Sequence, residues 1–457
     1  MRRFSLLTAL LLAGCAFSPD LPKLPGRGEL PLSTAIDRAY EDVLAAPADP
    51  AANGDLAMAL HRFEDFLHAE IFYQRARILA PEEFRWLYYT GAVQISQNKY
   101  SPAMATLRRA LTVNPEYLPA RVRLLRIAFR TGSLAECEQQ SRELLSRPEV
   151  ASLAAYWLGR SLVKRGRYEE AIEHLRNACE SYPDFGAAHS CWGYASSQLA
   201  DQRTAREQFR LADQHRFQAP SIDDPLLAAI GPDFAHPNDL LLRAYKLELQ
   251  GNYKEAGRLY RRLLHIDPRS VEAASRLIRI ATAEGKYEEA HAHWEAVMGW
   301  DDRQADAHTA LGLLLLRQKR FQEARTAFER ALNINPYQPE ALANLGHLMD
   351  KYEQGKEAER LFRMAIDIRP GYRDAHLYLG ALLVDSGRAS AAAKEFAAVT
   401  AVQDGRTPEL LYQLSAIYVR AGDRRRAFEC LRRAHELARQ YGQMSLADRI
   451  EKENRFF

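Results

Sequence analysis

A 34-residue period constrains the fold of this chain more than any other feature. Glycines stand in phase at Gly91, Gly159, Gly193, Gly312, Gly346 and Gly380, with one break. Alanine follows twelve residues after each, at Ala103, Ala171, Ala205, Ala324, Ala358 and Ala392. Phe209, Phe328, Phe362 and Phe396 come four residues later, and Ala110, Ala178, Ala212, Ala331 and Ala365 mark the next shared position. Many units close on proline: Pro81, Pro115, Pro183, Pro268, Pro336 and Pro370. Such self-similarity means stacked copies of one supersecondary unit that share a continuous core. The usual prior of about 150 residues per domain does not apply to such a chain.

The residue types fit paired antiparallel helices. Gly and Ala let two helix backbones approach closely, and Phe fills the space between successive hairpins. Proline stops the second helix, because it lacks an N–H and clashes with the preceding turn. Gly132, Gly166, Gly251, Gly285, Gly387 and Gly422 stand at the turn inside a hairpin. There glycine reaches the left-handed conformation that ends a helix without steric cost. The unit Pro339 to Tyr372 carries Leu345-Gly346, Ala358, Phe362, Ala365 and Pro370. With these spacings the chain resembles the tetratricopeptide repeat family. The resemblance implies an all-α, right-handed superhelical solenoid whose concave surface binds other proteins.

In register, the anchors give about eleven hairpins in two arrays. Five units start at Pro50, Phe84, Leu118, Ser152 and Gly186, and six at Pro237, Val271, Ala305, Pro339, Arg373 and Pro408. The third unit is degenerate, with Leu125 and Cys137 at the two small-residue positions. Between Gly193 and Ala244 the phase slips by 17 residues beyond one repeat. The excess holds Pro220, Pro225, Pro232 and Pro237, and Asp224-Pro225 caps a short helix running to about Ile230. The expected organisation is a first array over 33–217 with a cap helix Thr34 to Ala45, a connector over 218–236, a second array over 237–441, and a C-terminal cap over 442–457. Caps are expected because end repeats otherwise expose an apolar face.

Residues 1–14 read as a targeting segment. Arg2 and Arg3 precede an apolar run, Phe4 to Leu12, too short to span a bilayer, which takes about 20 residues. Leu12-Ala13-Gly14-Cys15 resembles the bacterial lipobox, which implies lipidation of Cys15. By the same resemblance Ala16 favours the outer membrane, with the protein facing the periplasm. Residues 15–32, rich in proline, read as a tether. The formal net charge is +3, from 62 basic and 59 acidic residues, so there is no global case for a nucleic-acid partner.

No catalytic constellation stands out: there is no phosphate-binding loop, no His-Glu-x-x-His and no Cys-x-x-Cys. No metal or other cofactor is expected, and the chain reads as a scaffold and not an enzyme. His189, His308 and His376 recur at the fourth position of their units, which makes them structural. Cys179 and Cys191 fit either a disulfide or two buried thiols. In the resembled family the first helix of each unit lines the groove. Carrying those positions over gives Tyr88, Arg126, Arg130, Tyr156, Arg160, Lys164 and Tyr194 in the first array, and Asn344 and His347 in a more mixed second array. Arginines four apart share a helix face, and their forks suit carboxylate or phosphate. Partners are therefore expected to be proteins, an acidic peptide or polymer among them, with the membrane reached through the lipid. The functional expectation is a lipid-anchored scaffold in a pilus, secretion or cell-wall assembly. The alternative is a periplasmic component of an exopolysaccharide export apparatus.

Overall fold

The computed structural model describes residues 34–235 and 237–454. Among them are 26 helices and no strand. A lone helix, α1 (Thr34–Ala45), precedes five hairpins. These are α2 (Pro50–Arg62) with α3 (Phe66–Leu79), α4 (Phe84–Ser96) with α5 (Tyr100–Val113), α6 (Leu118–Arg130) with α7 (Leu134–Leu144), α8 (Ala151–Lys164) with α9 (Tyr168–Ser181), and α10 (Gly186–Gln198) with α11 (Gln202–Gln214). Two short helices follow, α12 (Pro225–Ile230) and α13 (Pro232–Ala235). Six further hairpins are α14 (Pro237–Leu249) with α15 (Tyr253–Ile266), α16 (Val271–Ala283) with α17 (Tyr287–Trp300), α18 (Ala305–Arg317) with α19 (Phe321–Ile334), α20 (Pro339–Lys351) with α21 (Gly355–Ile368), α22 (Arg373–Asp385) with α23 (Ala389–Thr400), and α24 (Thr407–Arg420) with α25 (Arg424–Gln440). The last helix is α26 (Met444–Asn454). Every first helix starts within a residue of the position the period predicts, the two small differences being Ala151 for Ser152 and Thr407 for Pro408.

Every hairpin turns on the same device. The second residue after the end of the first helix takes a left-handed conformation, with φ between 75° and 78° at Gly132, Gly166, Gly251, Gly285, Gly387 and Gly422. The next amide then reaches back five residues to a helix carbonyl, as from Arg167 to Leu162 at 3.0 Å, which satisfies an orphan acceptor. Five hairpins make this turn without glycine, at Glu64, Asn98, Ala200, Lys319 and Glu353, with φ between 60° and 65°. The period sets the conformation at this position, and glycine only relieves it.

Packing within each hairpin explains the glycine of the first helix. A Cβ on Gly380 would lie 2.2 Å from the ring of Phe396, and one on Gly346 2.8 Å from Phe362. In both cases the ring comes from the same hairpin, sixteen residues on. It also meets the next hairpin, since Phe362 lies 5.8 Å from Tyr378 and Phe396 5.4 Å from Tyr418. The degenerate third unit trades sizes: buried Leu125 replaces glycine, and buried Ser141 stands at the ring position. Volume is conserved while the order of large and small is inverted.

The helices form two compact units. The first holds the described residues as far as Glu143, together with Ser221–Pro237 and His265–Pro268. The second holds Leu144–Pro220, Asn238–Leu264 and the described residues from Arg269 onward. The division falls at the end of α7, and not at the connector where the phase break predicts it. The physical reason lies in the connector. Asp224 caps α12 by accepting from the amide of Leu227, and Leu227, Ile230 and Phe234 are buried in the first unit. In the second unit Leu446, Ala447 and Ile450 of α26 are buried against α25, as a capping helix requires.

Candidate functional site

In the first unit, side chains of α4 and α6 converge on acids from elsewhere in the chain. Asp224 is buried, and its Oδ1 accepts from the Tyr117 hydroxyl at 2.9 Å. Its Oδ2 accepts from the Tyr88 hydroxyl and, at 3.2 Å, from Arg123 Nη2. Arg123 Nε also donates to the Tyr88 oxygen at 2.8 Å. Burial pushes the Tyr88 and Tyr117 phenols above their ordinary range, and the Asp224 charge adds to it. For Arg123 burial acts downward, but Tyr88 and Asp224 outweigh it and hold the guanidinium charged. Tyr89 donates to the carbonyl of Leu226 at 2.9 Å, and Phe234 meets His61 edge-on at 4.9 Å.

Asp267, just beyond the end of α15, binds the predicted arginine pair. Arg126 Nη2 donates to its Oδ2 at 2.7 Å, and Arg130 Nη2 donates to the same oxygen at 2.9 Å. Its neighbours anchor the segment: the Ser96 hydroxyl donates to the Ile266 carbonyl at 3.2 Å, and His265 pairs with Glu64 at 2.7 Å. Tyr88, Arg126 and Arg130, expected to line a groove for an anionic partner, are thus each met by a carboxylate of this chain. The anion is intramolecular, because two half-buried guanidinium groups side by side need a carboxylate to stay in the fold.

In the second unit, Tyr156 is buried, and its hydroxyl accepts from Arg160 Nη1 at 3.0 Å. Burial depresses the Arg160 guanidinium's affinity for its proton, and Tyr156, Cys191, Asp301 and Glu272 more than restore it. Lys164 is exposed, and Tyr194 is half-buried with its ring 6.3 Å from that of Tyr168. Glu340 is buried among arginines: Arg279 donates to it, and Arg369 Nη1 lies 3.5 Å away. Burial raises its pKa, but Arg279, Arg216 and Arg369 overcome that and hold the carboxyl well below its ordinary range. Arg369 also binds Asp213 through Nε at 2.6 Å. Asn344 is buried and donates to the Glu340 carbonyl one turn earlier at 2.7 Å, so its side chain serves its own helix. His347 is exposed and stacks on Tyr378 at 4.7 Å.

The recurring histidines close the loops between hairpins. Nε2 of His189, His308 and His376 reaches the carbonyl six residues earlier, at Pro183, Asp302 and Pro370, over 2.8, 3.0 and 2.9 Å. Cys179 and Cys191 are free thiols, and burial pushes the Cys179 thiol up to about 12. Cys15 and the tether lie outside the described residues. Among the described residues no group of three or more acidic, His or Cys side chains could hold a metal ion, and no helix is long and apolar enough to cross a membrane.

Among these acids the sequence places Glu340 on the groove-lining helix face, but it marks neither Asp224 nor Asp267 as a site residue. Asp224 was read only as a helix cap. Asp267 and Asp301 stand one repeat apart, as do Arg126 and Arg160, and that shared spacing was the available signal.

Family models described as tetratricopeptide repeat match residues 247–314, 152–185, 305–337 and 408–441. Three of these stretches begin at Ser152, Ala305 and Pro408, the unit starts read from the period. No curated protein sequence matches the chain. Among solved structures the chain is similar to the APC/C hetero-tetramer Cut9–Hcn1, at 13% identity and TM-score 0.45, covering 92% of this chain and 89% of that one. It is similar to yeast Tom70 at 13% identity and TM-score 0.33, covering 92% of each. It is also similar to pilF of Pseudomonas aeruginosa at 20% identity and TM-score 0.32, covering 47% of this chain and 96% of that one.

Proposed function

The chain is a tetratricopeptide repeat protein, a scaffold for protein–protein interaction, and we propose that it works from the cell envelope, anchored by a lipid on Cys15. Its partner lies along the inner edge of hairpins eight to eleven. One observation carries this choice of surface. The ninth and twelfth residues of four consecutive repeat units, counted from Ala305, Pro339, Arg373 and Pro408, are Leu313 and Leu316, His347 and Asp350, Ala381 and Val384, Ala416 and Val419, all half-buried or exposed. Six of the eight are apolar, on either side of His347 and Asp350; Leu313, Leu316, Ala381 and Val384 pack partly against the core, while Ala416 and Val419 are exposed where a solvated surface would carry charge. Arg126 and Arg130 have already met their carboxylate. An aliphatic row suits a protein partner better than a polysaccharide, whose rings call for aromatic platforms.

Two measurements test this. Cys15→Ser should move the protein out of the salt-washed membrane fraction, and persistence there removes the anchor from the reading. A photo-crosslinker at Val384 or Val419 should capture one protein partner, and Ala381→Asp should abolish that capture without changing helicity. Equal capture by the Asp variant places the partner elsewhere.

A further inference from the structure

The first unit holds a second surface, separate from the row at hairpins eight to eleven and already filled by the chain itself. The segment Asp224 to Phe234 lies on α2, α4 and α6 in the manner of a bound peptide. Its leading carboxylate is held by two phenols and a guanidinium, from Tyr88, Tyr117 and Arg123. Its main chain is read at Leu226, whose carbonyl accepts from the Tyr89 hydroxyl. Its apolar residues Leu227, Ile230 and Phe234 are all but fully buried, the last against His61. Grooves recognise short helical peptides by an apolar face whose anchors recur at helical spacing, as Leu227, Ile230 and Phe234 do here. The segment also stands outside the 34-residue period, within the 17-residue slip, so no hairpin uses it as a repeat element.

We propose that this face is a peptide-docking site that the chain covers with its own connector. Its ligand from outside is a protein segment of the same chemistry: an acidic residue capping one or two helical turns, aliphatic residues three apart, then an aromatic. The tethered connector competes at an effective concentration on the order of millimolar, so the site is closed in the intact chain. A partner opens it by matching that concentration, as a protein held on the same scaffold or membrane would.

The test uses the full chain and a synthetic, fluorescently labelled peptide with the sequence of residues 221–235. In a chain carrying Asp224→Ala and Leu227→Asp the connector is weakened, and the peptide should bind at least about ten-fold tighter than it does to the unaltered chain, as expected when a tethered competitor is removed. A peptide carrying Asp224→Asn should lose most of that binding, and adding Tyr88→Phe to the altered chain should weaken it. Circular dichroism and the thermal melt check that the altered chain is folded. Equal binding to altered and unaltered folded chains overturns the proposal. So does equal binding by the Asn peptide, or by polyglutamate, which would make the face a generic anion site. If the altered chain does not fold, amide exchange in the unaltered chain decides. Millimolar peptide should speed exchange at Leu227, Ala228 and Gly231 while α4 stays protected, and unchanged exchange overturns the proposal. None of these readouts involves the lipid or the row at hairpins eight to eleven, so failure here leaves the proposed function standing.

Discussion

Removing the carboxylate of Asp267 is the sharpest perturbation of the first unit. Asp267→Ala removes the carboxylate that both Arg126 and Arg130 bind. Exposed ion pairs are worth about 0–1 kcal/mol, and breaking a buried one costs about 3–5 kcal/mol. The side chains of Asp267 and Arg130 are 10% and 16% exposed and that of Arg126 31%, which places this triad between the limits, nearer the buried one. A loss of about 2–3 kcal/mol is expected, from charge-assisted hydrogen bonds worth about 1.5–3 kcal/mol each before solvent takes over part of their role. Repeat arrays need not unfold in one step, so denaturant melts should be paired with amide exchange in α6. In a cycle with Arg130→Met the two losses should fall short of additivity by about 1–2 kcal/mol. Salt should change little, because screening over about 8–10 Å does not reach between touching groups. A loss under about 0.5 kcal/mol, or additivity within about 0.5 kcal/mol, would refute the reading that Asp267 neutralises the pair.

Ala200→Gly should stabilise the chain by about 0.5–1 kcal/mol. The left-handed turn costs a side chain about 1–2 kcal/mol, partly offset by the looser unfolded state of glycine; no gain in a denaturant melt would mean that the strain at φ 60° is relieved elsewhere. Gly346→Leu should cost about 1–3 kcal/mol by driving side-chain atoms into the Phe362 ring, and an unchanged melt would show a pliable hairpin. His61 is buried, and with the charge of Arg123 this lowers its pKa to about 3. Its contribution is therefore whole above an unfolded pKa near 6.5 and lost as pH falls towards 3, at up to about 1.4 kcal/mol per pH unit. His61→Phe should flatten that slope in melts between pH 6.5 and 4, and an unchanged slope would assign it to other groups.

What depends on the period was legible in the sequence. Helix starts, the left-handed turn and the close approach at Gly346 are each set by neighbours within one hairpin, and 34-residue spacing displays them. The folded connector was half legible: Asp224-Pro225 marks a helix start in any context, but nothing local says that Leu227 and Ile230 find an apolar surface. The period puts Tyr88 at a groove-lining position, yet its partner Asp224 lies 136 residues on. Propensity and capping act over a few residues and carry no information about a contact at that range.

The repeat itself offers a rule for reading charge in such chains. Arg126 and Arg160 are one repeat apart, and so are Asp267, which binds Arg126, and Asp301, whose charge acts on Arg160. An interaction between turns of a solenoid recurs whenever both partners sit at fixed positions in their own units. A row of like charges is therefore first to be matched against a row of opposite charges at a constant sequence offset. Only charges left over after that matching are candidates for a ligand. Apolar residues at the same positions escape this cancellation, because water offers them no partner and an unoccupied groove leaves them exposed. For that reason exposed Ala416 and Val419, rather than Leu313, Leu316, Ala381 and Val384, which pack partly against the core, mark the proposed working surface.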